Sequence, residues 1–178
     1  MASLQVQLID EAREPVAVDP VNHALLVTDV AGGGGAGGSW AVNNGKSFAT
    51  HYSFKAYKNG YAYTRIQTTE AIFIVATWSS DDVCTAHVYT DPTVTVESAA
   101  TITNRKIGDA TSSGVTATIP TTVTDKGTEI YSTVVTKSDH RVTAIFQIPA
   151  GEDILFAHYD KSGTGGYWAS MNVDFHLV

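Results

Sequence analysis

The sequence predicts an all-β protein: an antiparallel β-sandwich of the jelly-roll kind, preceded by a small N-terminal β-arm. Three observations lead there. From Trp40 onward apolar residues recur with a period of two, the spacing that turns one face of a strand toward a core. Turn chemistry separates these runs at short intervals, at Lys58 to Gly60, Ser79 to Asp82, Asp91-Pro92, Asp125 to Gly127, Pro149 to Gly151 and Ser162 to Gly166. No window carries the i, i+3, i+4, i+7 stripe of an amphipathic helix, and many short strands between regular turns are the mark of a sandwich or jelly roll.

Taken in order, the chain opens with Leu4, Val6 and Leu8 alternating with Gln5 and Gln7, followed by Val16 to Val18 and His23 to Thr28 around the turn residues Asp19 and Pro20. Residues 1–30 are therefore expected to form a β-arm too small to be stable alone, one that packs on the body, a neighbouring subunit or another protein. Ala31 to Ser39 is six glycines among Ala and Ser and reads as a linker, residues 31–39. Residues 1–39 hold five acids (Asp10, Glu11, Glu14, Asp19, Asp29) against one base, Arg13, a net −4 of the chain's −7. The arm is the acidic part.

Residues 40–178 form the body. Strands are expected at Phe48–Phe54, Tyr61–Gln67, Ala71–Trp78, Val83–Tyr89, Val115–Ile119, Thr128–Val135, Arg141–Ile148, Asp153–Tyr159 and Tyr167–Leu177. In the last of these Tyr167, Ala169, Met171, Val173, Phe175 and Leu177 alternate without a miss. Ala71 to Ala76 is continuously apolar, which predicts a central strand covered on both faces. Between Tyr89 and Tyr131 there is no aromatic residue, and Thr, Ser, Ala, Val and Gly dominate. That stretch reads as thin strands with a long loop around Arg105–Gly114, exposed or laid against a partner.

Composition excludes several functions. The chain has 178 residues, 18 acids, 11 Lys and Arg and no basic cluster, which argues against nucleic acid as a partner. The longest apolar run is too short to cross a bilayer, and the opening residues lack the basic and apolar segments of a secretory leader. One cysteine, Cys84, rules out an intramolecular disulfide, and with no helix N-terminus beside it a buried, inert thiol is expected. Only 16% of residues are charged, against roughly 25% in soluble domains. A surface so short of charge suits a protein that buries much of its outside in an assembly.

Chemistry-bearing motifs are correspondingly thin. Gly32, Gly34 and Gly37 fit G-x-G-x-x-G, but Trp40 to Gly45 cannot open the helix that a dinucleotide site needs, and Ser39 stands where a P-loop requires Lys. The histidines His23, His51, His87, His140, His158 and His176 show no metal-ligand spacing. No Gly-x-Ser-x-Gly elbow is present. The carboxylate pairs Asp81-Asp82 and Glu152-Asp153 lie in separate turns and read as solvated residues, and no catalytic residue, cofactor or metal is expected. Trp168 falls on the polar face of the last strand and, with Trp40, Tyr61 and Tyr63, could stack on sugar rings. An exposed Trp is equally a frequent interface hot spot, and the interface reading is the favoured one.

The acidic arm with Glu14 to Asp19 and His23 to Val27, the Gly tract, the Thr-rich middle from Thr90 to Thr128 and the closing hairpin from Ile154 to Leu177 together give a layout that resembles tailed-bacteriophage virion proteins: head decoration (cement), minor capsid or head-fibre proteins with a jelly-roll body. The resemblance spans nearly the full chain and is one of layout and composition, so it carries over no functional residue. It implies a non-enzymatic protein, made in the host cytoplasm, that decorates the outside of a phage capsid and stabilises it. The implied partners are the major capsid protein and copies of the chain itself, as a homotrimer, with no nucleic acid and no membrane. The interface candidates are Leu4, Val6, Leu8, Asp10, Glu11, Trp40, Arg105 and Trp168. A carbohydrate-binding module on a virion or cell surface is the alternative.

Overall fold

The computed structural model describes residues 45–106, 108, 113–137 and 141–178. The expected arm, the Gly-rich linker and the candidates Leu4, Val6, Leu8, Asp10, Glu11 and Trp40 lie outside the described residues, as do His23 and His140. The described residues form eleven strands and no helix: β1 (Ser47–Lys55), β2 (Tyr61–Thr68), β3 (Ile72–Ser80), β4 (Cys84–Thr90), β5 (Thr93–Ala99), β6 (Ile102–Asn104), β7 (Val115–Asp125), β8 (Thr128–Val135), β9 (Arg141–Ile148), β10 (Asp153–Asp160) and β11 (Trp168–Leu177).

They make a five-stranded sheet, β6-β1-β11-β3-β9, and a six-stranded sheet, β5-β7-β2-β10-β4-β8, with antiparallel pairs throughout. Without β5, β6 and β7, the remaining eight strands lie as β1-β11-β3-β9 over β2-β10-β4-β8, and successive strands cross from one sheet to the other except at the β5–β7 insertion. That is the double Greek key of a jelly roll. The three inserted strands widen both sheets, β6 beside β1 and the β5–β7 pair beside β2.

The period of two explains the core. Ile72, Ile74, Ala76 and Trp78 of β3 meet Met171, Val173 and Phe175 of β11 and Phe48 of β1 on one inner face, and Ile66, Val88, Ile154 and Phe156 line the other. Each fully buried large side chain contributes about 1.5–3 kcal/mol relative to exposure. Phe48 and Phe175 stack with centroids 5.6 Å apart. The indole N–H of Trp78 donates to the Ala157 carbonyl oxygen across the sheets at 3.1 Å, so the largest core residue leaves no orphan donor.

Two expectations need correction. β3 is central within its sheet, but its outward face is only partly covered: Thr77 is buried there, Val75 is half-buried and Phe73 is 36% exposed. In a sandwich of two layers the outer face of a central strand has no third layer to meet, so continuous hydrophobicity does not imply double burial here. The aromatic-free middle is also more structured than expected. It supplies β5, β6 and an eleven-residue β7, and Val115 and Ala117 enter the core. Small and β-branched side chains suffice there because β7 pairs directly with β2.

Candidate functional site

The two outer faces of the sandwich differ in what covers them. On the six-stranded sheet, register places Tyr63, Ala157 and His87 side by side, with Tyr61 and Tyr159 in the next row and Arg65, Leu155 and Tyr89 in the row on the other side. Leu155, Ala157 and Tyr89 are buried although they face away from the main core, because Tyr61, Tyr63 and Val123 of β7 close over them. Tyr61 and Tyr63 stack at 5.6 Å with planes 3° apart. The Lys126 ammonium, from the turn between β7 and β8, sits 3.6 Å over the Tyr61 ring, a cation–π contact that caps the cluster. Arg65 ties three strands: its Nε–H donates to Asp153 of β10 at 2.9 Å and its Nη1–H to Glu97 of β5 at 3.0 Å. This face is a second small core, with the Arg65 guanidinium at its side already paired.

Among the described residues, no second cluster covers the outer face of the five-stranded sheet. Its lower rows pair Val75 with Ile145 and Phe73 with Gln147, and Ile145 is 61% exposed. Toward the other end the rows become hydroxylic: Thr77 lies between Thr143 and Asn172, and Ser79 and Ser53 flank Ser170. Beyond this serine row stands Trp168, 62% exposed. Ser53, Ser79, Ser80, Asp81, Trp168 and Ser170 line a shallow trough of about 320 Å³.

A buried carboxylate sets the position of that tryptophan. Asp160 ends β10 with no exposed surface. Its Oδ1 accepts from Ser162 Oγ–H at 2.6 Å, Gly163 N–H at 3.2 Å and the Tyr167 hydroxyl at 3.1 Å, while Oδ2 accepts from the N–H groups of Asn59 and Gly165, each at 3.1 Å. Burial alone pushes this carboxyl up, but the donors from Ser162, Asn59, Tyr167 and Gly163 outweigh it and hold it below its ordinary value. Gly165 has φ +62°, and a Cβ there would meet the Lys58 nitrogen at 2.6 Å, so this loop passes close to the β1–β2 turn only as glycine. The loop thus cinched delivers Tyr167 inward, and strand alternation then turns Trp168 outward.

The sequence-level candidates separate. Glu152 and Asp153 begin β10 while Asp82 lies near its far end, where its Oδ2 accepts from Thr164. Seven residues of strand put the two carboxylate pairs about 23 Å apart, so they do not act on one substrate. Cys84 is fully buried, and burial pushes its thiol up to about 11, consistent with an inert thiol. His87 Nδ1 pairs with the Glu129 carboxylate at 2.9 Å, His51 bonds Ser53, and His158 is buried among Phe54 and Tyr167. Among the described residues no group of three His, Cys, Asp or Glu side chains is gathered as a metal site would need. Arg105 lies beside the open face but is engaged by the Asp174 carboxylate. Trp168 is exposed as expected. The serine row escaped the sequence reading because three serines on three strands mean nothing until the register is known, and Asp160 left only the weak signal of an Asp followed by a Ser- and Gly-rich turn.

No family model matches this chain, and no curated protein or solved structure matches it as a relative.

Proposed function

We propose that the chain is a non-enzymatic structural protein of a virion, one that decorates the exterior of a phage capsid and stabilises it by binding the major capsid lattice and copies of itself. The supporting observation is the outer face of the five-stranded sheet, where Phe73 of β3 and Ile145 of the edge strand β9 are exposed beside a partly buried Val75. Exposed contiguous apolar surface on a sheet marks an interaction site. The low charged fraction of 16% and the jelly-roll topology, a fold widely used by capsid proteins as well as by lectins and cupins, accord with that reading. Self-association through this face into a homotrimer would bury the patch and leave the acidic N-terminal segment to meet the capsid.

Sedimentation equilibrium of the full chain is the first test. A trimer or another small cyclic oligomer at micromolar concentration is expected, returning to the 18.9 kDa monomer on Ile145→Asp. Wild-type protein that stays monomeric would count against self-association. Electron microscopy of the phage particle that carries the chain, with no density for the sandwich on the capsid exterior, would remove the capsid reading.

A further inference from the structure

We infer that the trough beside Trp168 is a binding site for a neutral hexose unit of a glycan. Its lining has the chemistry of a sugar's two sides. A pyranose presents an apolar face of C–H groups and an edge of hydroxyls; the exposed indole offers a rigid, flat partner to the first. The hydroxyls of Ser79 and Ser170 and the Asp81 carboxylate make no hydrogen bond among the described residues, and they offer donors and acceptors to the second. Asp81 is held at the platform by its own backbone, whose N–H donates to the Trp168 carbonyl oxygen at 3.1 Å. A carboxylate in that place accepts from two adjacent sugar hydroxyls in charge-assisted bonds and repels sialic or uronic acids.

The other groups narrow the choice further. Ser80 is already saturated, donating to the Asp82 carbonyl oxygen at 2.7 Å and accepting from the Asp82 N–H. Lys55 and Arg141 stand opposite Trp168 and Ser79 in register but do not line the trough. Asp81 is thus the charged group of the lining, and the two cations stand at its edge. A volume of about 320 Å³ is at the small end of ligand sites, room for one or two rings. A protein hot spot is ringed by tightly packed contacts that exclude water; free serine hydroxyls and a carboxylate around Trp168 are the wrong ring for that, and the right one for a polyol. The platform is preorganised, because the loop delivering Trp168 is closed on Asp160, so little ordering entropy opposes binding.

The trough and the apolar patch are separate positions on one face: Ile145 lies four residues of strand from Arg141, which pairs with Ser79 of the serine row, about 13 Å. The test uses the full chain and a panel of neutral oligosaccharides (laminarihexaose, cellohexaose, maltohexaose, mannohexaose and chitohexaose) at millimolar concentration, followed by ligand-observed NMR and tryptophan fluorescence. At least one is expected to bind with a Kd of about 0.1–1 mM. Trp168→Ala should weaken that binding at least tenfold with an unchanged far-ultraviolet circular dichroism spectrum, and Ser170→Val, which fills the trough from a strand interior, should do the same. Ile145→Asp should leave it untouched. A panel that is silent throughout, including one in which Trp168→Ala instead lowers the sedimentation coefficient, overturns the inference. So does sugar binding that survives both trough variants.

Discussion

The Tyr167 hydroxyl donates to Oδ1 of Asp160 at 3.1 Å, and the two residues close a loop that begins and ends on adjoining strands of opposite sheets. The bond reaches from the end of β10 to the start of β11, so it fixes where the last strand begins. One residue later the alternation of the strand puts Trp168 on the open face. The most exposed tryptophan of the described body is thus positioned by one of its most buried charges.

Asp160→Asn should lower stability by about 2–3 kcal/mol, because an amide keeps one acceptor but points its NH₂ at groups that are themselves donors. Urea denaturation measures it. The same variant should weaken any ligand at Trp168, whereas a purely local role at the loop would leave that ligand untouched.

Acid should destabilise the protein well above the carboxylate range. Burial pushes the His158 imidazole down to about 4 from its ordinary 6.5. An unfolded chain therefore takes up a proton near pH 6.5 that the folded chain refuses until about pH 4. Stability falls through that window as pH drops, by about 3 kcal/mol in total. His176, lowered by burial and by Arg105, acts in the same direction. His158→Phe should remove most of the slope between pH 7 and 4 in urea titrations. Asp160 adds a separate loss below its ordinary value of 3.8, since its folded-state value is depressed and its stabilisation disappears as the folded carboxyl is protonated.

The strand pattern was legible because burial on a sandwich is one-sided: Tyr167 to Leu177 and Arg141 to Ile148 alternate without error, and strands stand at Trp168–Leu177 and Arg141–Ile148. Ala71 to Trp78 misled for the complementary reason. Phe73 is apolar without being covered and Val75 is only half-covered, and a single sequence cannot distinguish a residue buried by its own fold from one kept apolar for another surface. Trp168 was legible as an exposed aromatic, but its ring of hydroxyls was not. Ser53, Ser79 and Ser170 are separated by up to 117 positions in the chain and meet only through the register of β1, β11 and β3. The second core over the six-stranded sheet was hidden likewise, since it depends on a ribbon folding back rather than on any local period.

Trp78→Phe should cost about 2–3 kcal/mol. The ring that remains is smaller than the site between Tyr131 and Phe156, which leaves a void, and the Ala157 carbonyl loses the indole donor. Thermal unfolding with an unchanged m-value in urea would show that the loss belongs to the folded state; the prediction fails if the melting temperature is unaltered.

The last prediction concerns the ribbon that makes the second core. β4 runs through Asp91 and Pro92 into β5, and β7 runs through Lys126 and Gly127 into β8, so that the two turns lie against each other with Thr90 opposite Thr128 and Thr93 opposite Asp125. Their contact is too close for a side chain: Gly127 has φ +80°, and a Cβ there would lie 1.9 Å from the Thr90 carbonyl oxygen and 2.8 Å from that of Asp91. Backbone on both sides must move, which also draws Lys126 off the Tyr61 ring and loosens the cover over Leu155 and Ala157. Gly127→Ala should therefore cost more than about 2 kcal/mol, above the roughly 1 kcal/mol of a left-handed alanine alone. Gly151→Ala is the control, with φ +87° and nothing within 4 Å of the added carbon, so it should show only the smaller conformational cost. If the two variants unfold at the same urea midpoint, the turns do not lock the ribbon. If Gly127→Ala alone also changes the near-ultraviolet circular dichroism of the tyrosines, the lock and the aromatic cover are one device.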